Sequence, residues 1–208
     1  MLDLNQKTDY DVLDYPQLAT LCQTCQKCPL SEKRTHVVVG HGSVPCNLMI
    51  IGEGPGEQED LQGKPFVGRS GQLLTKILEA VGINRETDAY IANTVKCRPP
   101  KNRNPHISEI DACKPYLIRQ IHLVQPKILI LLGNPSLKTF LGDHLGITKS
   151  RGQWFKQSVS YMEDSLYIMP LFHPSYLLRN ASKDKGAPKW LTWQDAQEIK
   201  AALSFYDN

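Results

Sequence analysis

Four short apolar runs, set apart by segments of helical period, constrain the fold of this 208-residue chain more than any other feature. They occupy residues 47–52, 90–95, 127–132 and 167–172, lengths that suit buried strands rather than helices. Between the first two, Leu73, Leu74, Ile77, Leu78 and Val81 recur at helical spacing across 72–81, and Gly82 stops the pattern. A second helix is predicted to begin at Ser108, with Glu109 and Asp111 in its first turn and Ile110, Leu117, Ile118 and Ile121 as its apolar stripe. Gly133-Asn134-Pro135 opens a third helix through Leu141, and residues 193–205 read as a closing one. Strands alternating with helices imply an α/β fold in which a parallel sheet is covered on both faces. The length suits one domain spanning 1–208.

Whole classes fall away on simple grounds. The longest uninterrupted apolar stretch is the five residues 128–132, far short of a bilayer span. The N-terminal segment is acidic, with Asp3, Asp9, Asp11 and Asp14 against Lys7, and lacks the basic and apolar regions of a signal peptide. A cytoplasmic protein without membrane contact is expected. The net charge of +3 is too mild to establish nucleic-acid binding, but its distribution is uneven. Lys96, Arg98, Lys101 and Arg103 form one basic segment without an acid, and Arg179, Lys183, Lys185 and Lys189 form another. Both read as loops able to meet phosphates; on charge alone a solvated surface reads the same.

Six cysteines in a reducing compartment argue against disulfides. Cys25 and Cys28, separated by two residues and followed by proline, have chelating spacing, and Cys97 and Cys113 would close a loop through Arg98-Pro99-Pro100. Four thiolates suit structural zinc or an iron–sulfur cluster. Cys46 reads as an ordinary free cysteine, and Cys22 adds a third thiol to the first group. The glycine-rich loop Gly52-Glu53-Gly54-Pro55-Gly56-Glu57 does not suit a dinucleotide. Glu57 replaces the third glycine of that motif, and four carboxylates within eight residues would repel a pyrophosphate.

Ligands of parallel sheets lie beyond the carboxyl ends of the strands. There the chain places Gly-Glu-Gly-Pro-Gly-Glu-Gln-Glu-Asp at 52–60, Asn93-Thr-Val-Lys-Cys97-Arg-Pro-Pro, Gly133-Asn134 and His173-Pro-Ser-Tyr-Leu-Leu-Arg179. Together with Cys25-x2-Cys28-Pro-Leu, Gly63-Lys-Pro-Phe-Val-Gly68 and Cys113, this ordered set resembles the family 4 uracil-DNA glycosylases, the iron–sulfur branch of that superfamily. The resemblance covers 25–179 and leaves 182–193 unassigned. It implies a three-layer α/β/α fold with a central four-stranded parallel sheet and a [4Fe-4S] cluster on Cys25, Cys28, Cys97 and Cys113. It also implies hydrolysis of uracil's N-glycosidic bond in single- or double-stranded DNA by a monomeric enzyme.

By the same resemblance, Phe66 stacks on a flipped uracil and Asn93 reads its O4 and N3–H. Glu59 blocks the methyl group of thymine, and His173 stabilises charge developing on uracil O2. Glu53 serves the attacking water, with main-chain groups of the 53–57 loop sharing the task, and Gly54 counts among the substrate-binding residues; superfamily members with a stronger water activator carry Asp where this chain has Gly54. Arg98, Lys101 and Arg103 face phosphates, while Leu177, Leu178 and Arg179 form an intercalating loop. A covalently DNA-trapping branch carries an extra Arg/His-rich loop before His-Pro-Ser, and residues 166–172 contain none. A uracil-DNA binder without activity and a zinc-stapled module are the remaining rivals.

Overall fold

The computed structural model describes residues 2–160, 162 and 165–206. Its sheet has the strand order β1-β3-β2-β4-β6-β5. The strands are β1 (His41–Gly42), β2 (Leu48–Gly52), β3 (Tyr90–Asn93), β4 (Ile128–Leu132), β5 (Phe155–Gln157) and β6 (Leu166–Leu171). Each of the four apolar runs lies on one of the inner strands, which pair in parallel. The expectation of a four-stranded parallel sheet is nevertheless overturned. Two antiparallel edge strands, β1 on β3 and β5 on β6, make the sheet six-stranded and mixed. At two and three residues, and only partly buried, they carry no apolar run that a sequence pattern could register.

Alternate residues of the inner strands feed opposite faces. Met49, Ile51, Leu129 and Leu131 pack with Leu117, Ile118, Ile121 and Phe140 of helices α4 (Ile107–Val124) and α5 (Asn134–Leu141). Leu48, Ile50, Ile128 and Ile130 pack with Leu74, Leu78, Ile199 and Leu203 of α3 (Arg69–Ala80) and α8 (Pro188–Leu203). A third cluster joins α1 (Tyr15–Gln23) to α4 through Leu18, Cys22, Cys113 and Tyr116. The short helices are α2 (Glu57–Gln62), α6 (Ile147–Ser150) and α7 (Pro174–Arg179). The closing helix starts at Pro188, five residues before the predicted Trp193, because proline suits a first helical position. No helix among the described residues is long and apolar enough to cross a membrane.

β2 has β3 on one side and β4 on the other, so successive connections leave it in opposite directions. Such a reversal opens a crevice at the carboxyl ends of the strands. The strand of the second apolar run, β3, extends no further than Asn93, rather than Val95, because the chain then bends across the end of β2. Thr94 N–H donates to Gly52 O at 3.0 Å and Val95 N–H to Glu53 O at 3.2 Å.

Candidate active site

Glu53, Gly54, Glu59, Phe66, Asn93 and His173 all line one cavity of about 280 Å³ at that edge. β2 delivers Glu53 and Gly54, β3 ends on Asn93, and β6 leads through Phe172 to His173. Gly52 is what allows Phe66 and Asn93 to converge. A Cβ there would stand 2.5 Å from Asn93 Oδ1 and 2.6 Å from Phe66 Cζ. Pro55, Pro99 and Ser175, which stand inside the motifs of the resemblance without an assigned role, also line the cavity, as do Ser70 and Asn102, which lie outside those motifs.

Among the described residues, two buried oxygens at this site have no hydrogen-bond partner, Asn93 Oδ1 and Glu53 Oε1. Leaving such a group unpaired costs about 1–3 kcal/mol, so both are poised for a ligand that donates. Burial raises the Glu53 pKa above the ordinary carboxylate range. At His173 the N–H of Ser175 donates to Nδ1 at 3.2 Å, with Ser175 Oγ 2.8 Å from the same atom. A ring nitrogen accepting from a backbone amide holds no proton, so the neutral ring carries its hydrogen on Nε2. Burial, reinforced by Arg179 and opposed by Glu59, brings the His173 pKa down to about 4. His173 is therefore a neutral donor near pH 7.

Phe66 is held in an unusual conformation. Its φ of 53° lies in the left-handed region, which costs a non-glycine residue of order 1–3 kcal/mol. Arg85 offsets this from behind. Its Nη1 donates to Phe66 O at 2.8 Å and its Nη2 to Pro65 O at 2.9 Å, charged hydrogen bonds of about 1.5–3 kcal/mol each. Glu59 secures the other flank. Its Oε1 accepts from Val67 N–H at 2.8 Å and Gly68 N–H at 2.7 Å, and its Oε2 from Gly56 N–H at 3.1 Å. The ring of Phe66 lies 5.9 Å from that of His173, tilted by 37°.

A second cavity is lined by five of the six cysteines: Cys22 of α1, Cys25 and Cys28 after it, Cys97 beyond β3, and Cys113 of α4. Cys46 lies apart, packed against the main core. Among the described residues no group of three His, Cys, Asp or Glu is arranged to hold a single ion. The chemistry of the lining does fit an anionic metal centre. Burial pushes the Cys22 and Cys113 thiols up to about 12, and those of Cys28 and Cys97 upward. Neutral thiols leave uncompensated the positive charge beside them. Arg34 Nη1 donates to Cys97 Sγ at 3.3 Å, and the buried Lys96 has no carboxylate partner among the described residues. A buried cation without a counter-charge costs several kcal/mol, and metal-bound thiolates would supply that charge.

The uracil DNA glycosylase superfamily model matches residues 39–197. A type-4 uracil-DNA glycosylase of Thermotoga maritima is 47% identical over 161 residues, 77% of this chain and 81% of that protein. Those of Sulfurisphaera tokodaii and Saccharolobus solfataricus are 42% and 40% identical, over 78% and 90% of this chain and 74% and 85% of theirs. The chain belongs to the type-4 uracil-DNA glycosylases. Its reaction is hydrolysis of the N-glycosidic bond of uracil in DNA, the opening step of base excision repair, which leaves an abasic site and free uracil.

The basic residues of this glycosylase differ in their freedom to meet DNA. Lys96, part of the basic segment read as a phosphate-facing loop, is buried. Arg98 Nε donates to Asn102 Oδ1 at 2.8 Å, and its Nη1 lies 3.5 Å from Glu57. Arg103 grips Glu109 with two bonds of 2.9 and 2.7 Å while bordering the active-site cavity. Lys101 is exposed, has no ion pair among the described residues, and with Asn102 adopts a left-handed φ near the cavity mouth (54° and 55°). In α7, Leu177 is buried while Leu178 is 38% exposed beside Tyr176, and Arg179 is exposed.

Proposed function

We propose that the cavity at the carboxyl edge of the sheet performs the hydrolysis with the following division of labour. Asn93 receives uracil N3–H on its open Oδ1 and donates from Nδ2 to O4, a pairing that cytosine cannot match. Phe66 stacks on the base. Glu59, immobilised by three backbone amides, is the fixed wall that the methyl group of thymine would strike. Departure of the base places negative charge on O2, where the Nε2–H of a neutral His173 stabilises the transition state more than the ground state. Glu53 accepts from the attacking water, and the main chain at Gly54 helps order it. The reading is carried by one observation: two unpartnered buried oxygens, on Asn93 and Glu53, border the same cavity as a neutral histidine.

DNA of either strandedness is held by Arg98, Lys101, Arg103 and Arg179. Leu178 fills the gap left by the flipped base, with Leu177 as its buried anchor. Cys25, Cys28, Cys97 and Cys113 hold a [4Fe-4S] cluster, which supplies a structural cross-link and negative charge rather than redox chemistry, since hydrolysis moves no electrons. We assign the chain as one domain, a monomer acting in the cytoplasm. Incubation with a uracil-containing oligonucleotide, then alkaline cleavage and assay of free base, tests the activity. Strand cleavage with uracil release is expected; tight binding without release would make the chain a binder instead. Broad absorption near ~400 nm in the purified protein is expected of the cluster, and a colourless zinc-loaded protein would exclude it.

A further inference from the structure

Lys96 stands between the two cavities. It is 1% exposed, lines the thiol cavity with Cys22, Cys97 and Cys113, and donates Nζ to the main-chain carbonyl of Asn93 at 2.7 Å. Asn93, also 1% exposed, presents its open Oδ1 to the other cavity. The intervening Thr94 and Val95 are tied by their amides to Gly52 and Glu53, so the turn 93–96 also braces the loop that bears Glu53. A buried ammonium settles where its counter-charge is. The cysteines that would bind the metal line the same cavity as Lys96, so a metal centre held there would supply that charge.

We propose that Lys96 is a positioning residue that couples the thiol-bound metal centre to base reading, holding the Asn93 carbonyl, and through it the amide, in place. The ammonium is drawn by the anionic centre on one side and fixes the peptide after Asn93 on the other. The metal site thereby sets the geometry of the base reader without touching the substrate. This inference rests on Asn93 being the reader.

Four iron-loaded variants test it: Lys96→Met, which keeps length without charge, Lys96→Gln, Asn93→Ala, and the double variant Lys96→Met with Asn93→Ala. Single-turnover uracil excision and affinity for free uracil are measured, with iron content and the absorption and circular dichroism near ~400 nm recorded for each. Lys96→Met should lose roughly tenfold in excision and in uracil affinity, the scale of one charged hydrogen bond. It should also shift the dichroism of the metal centre, which a merely structural lysine would not do. Because Lys96 acts through Asn93, the double variant should be no worse than Asn93→Ala within about twofold. Lys96→Gln, which retains a donor, should recover part of the loss. Parental rates in Lys96→Met, losses that multiply in full with those of Asn93→Ala, or failure of both Lys96 variants to take up iron would each overturn the proposal. An unimpaired Asn93→Ala would instead sink the reading of Asn93 itself.

Discussion

His173 shows how one residue's surroundings determine its chemistry. The Ser175 amide fixes its tautomer and burial fixes its charge, so it enters the reaction as a neutral donor. His173→Ala should lower single-turnover excision by roughly 10²–10³-fold, the scale of one lost oxyanion donor, with DNA affinity little changed. An unchanged rate would remove it from the mechanism. The pH dependence separates it from Glu53. The folded pKa of His173 lies near 4 against an ordinary 6.5, so the unfolded chain binds more protons between these values. The folded state should therefore gain stability as pH rises from about 4 to 6.5, and His173→Ala should flatten that slope in denaturant titrations. The acid limb of excision belongs to Glu53: the rate should rise with pH through a midpoint above the ordinary carboxylate range, and Glu53→Gln should abolish the limb. A limb surviving in Glu53→Gln would assign it elsewhere. The roles proposed for Asn93 and His173 were legible in sequence because they stand within motifs at strand ends, and that of Phe66 because it stands within the motif 63–68. Arg85 was not, since its contacts are made to backbone atoms whose placement only the fold decides, and Ser175, though inside the His173 motif, gave no sign that its amide would fix the ring.

Among the elements, the loop bearing Phe66 is the clearest case of a strained segment held by its neighbours. Arg85 lies between α3 and β3, 19 residues from the carbonyl it binds, and no local pattern announces that contact. Arg85→Met should raise KM for uracil-containing DNA and weaken free-uracil binding about tenfold, as expected for one lost charged hydrogen bond. Its effect should vanish in a Phe66→Ala background, whereas losses of equal size in both backgrounds would mean that Arg85 acts by another route. The inner strands were legible because burial on both faces gives an unbroken apolar run. The edge strands β1 and β5 were not, because a short strand paired on one side needs no such run. The basic segment after β3 was legible only as a run of charge. Its charges divide among a buried lysine, two arginines engaged by Glu57 or Glu109, and the exposed Lys101, a division that sequence adjacency conceals.

At the scale of the molecule, two cavities share the turn 93–96, one lined by thiols and one by the groups assigned to the base. Iron content per chain separates the thiols. Replacement of Cys25, Cys28, Cys97 or Cys113 should lower iron and solubility, whereas Cys46→Ser should leave iron intact. Loss of iron in Cys22→Ala with retention in Cys25→Ala would move the ligand set by one position. The most direct test of the central claim is single-turnover excision of uracil by the parental chain and by Asn93→Asp. The parental chain should release uracil and leave an alkali-labile site. In Asn93→Asp an acceptor-only carboxylate faces uracil O4, and excision should fall at least ~10-fold, the cost of a buried unpaired polar group. Excision by Asn93→Asp at the parental rate would contradict the account and place the base reader elsewhere.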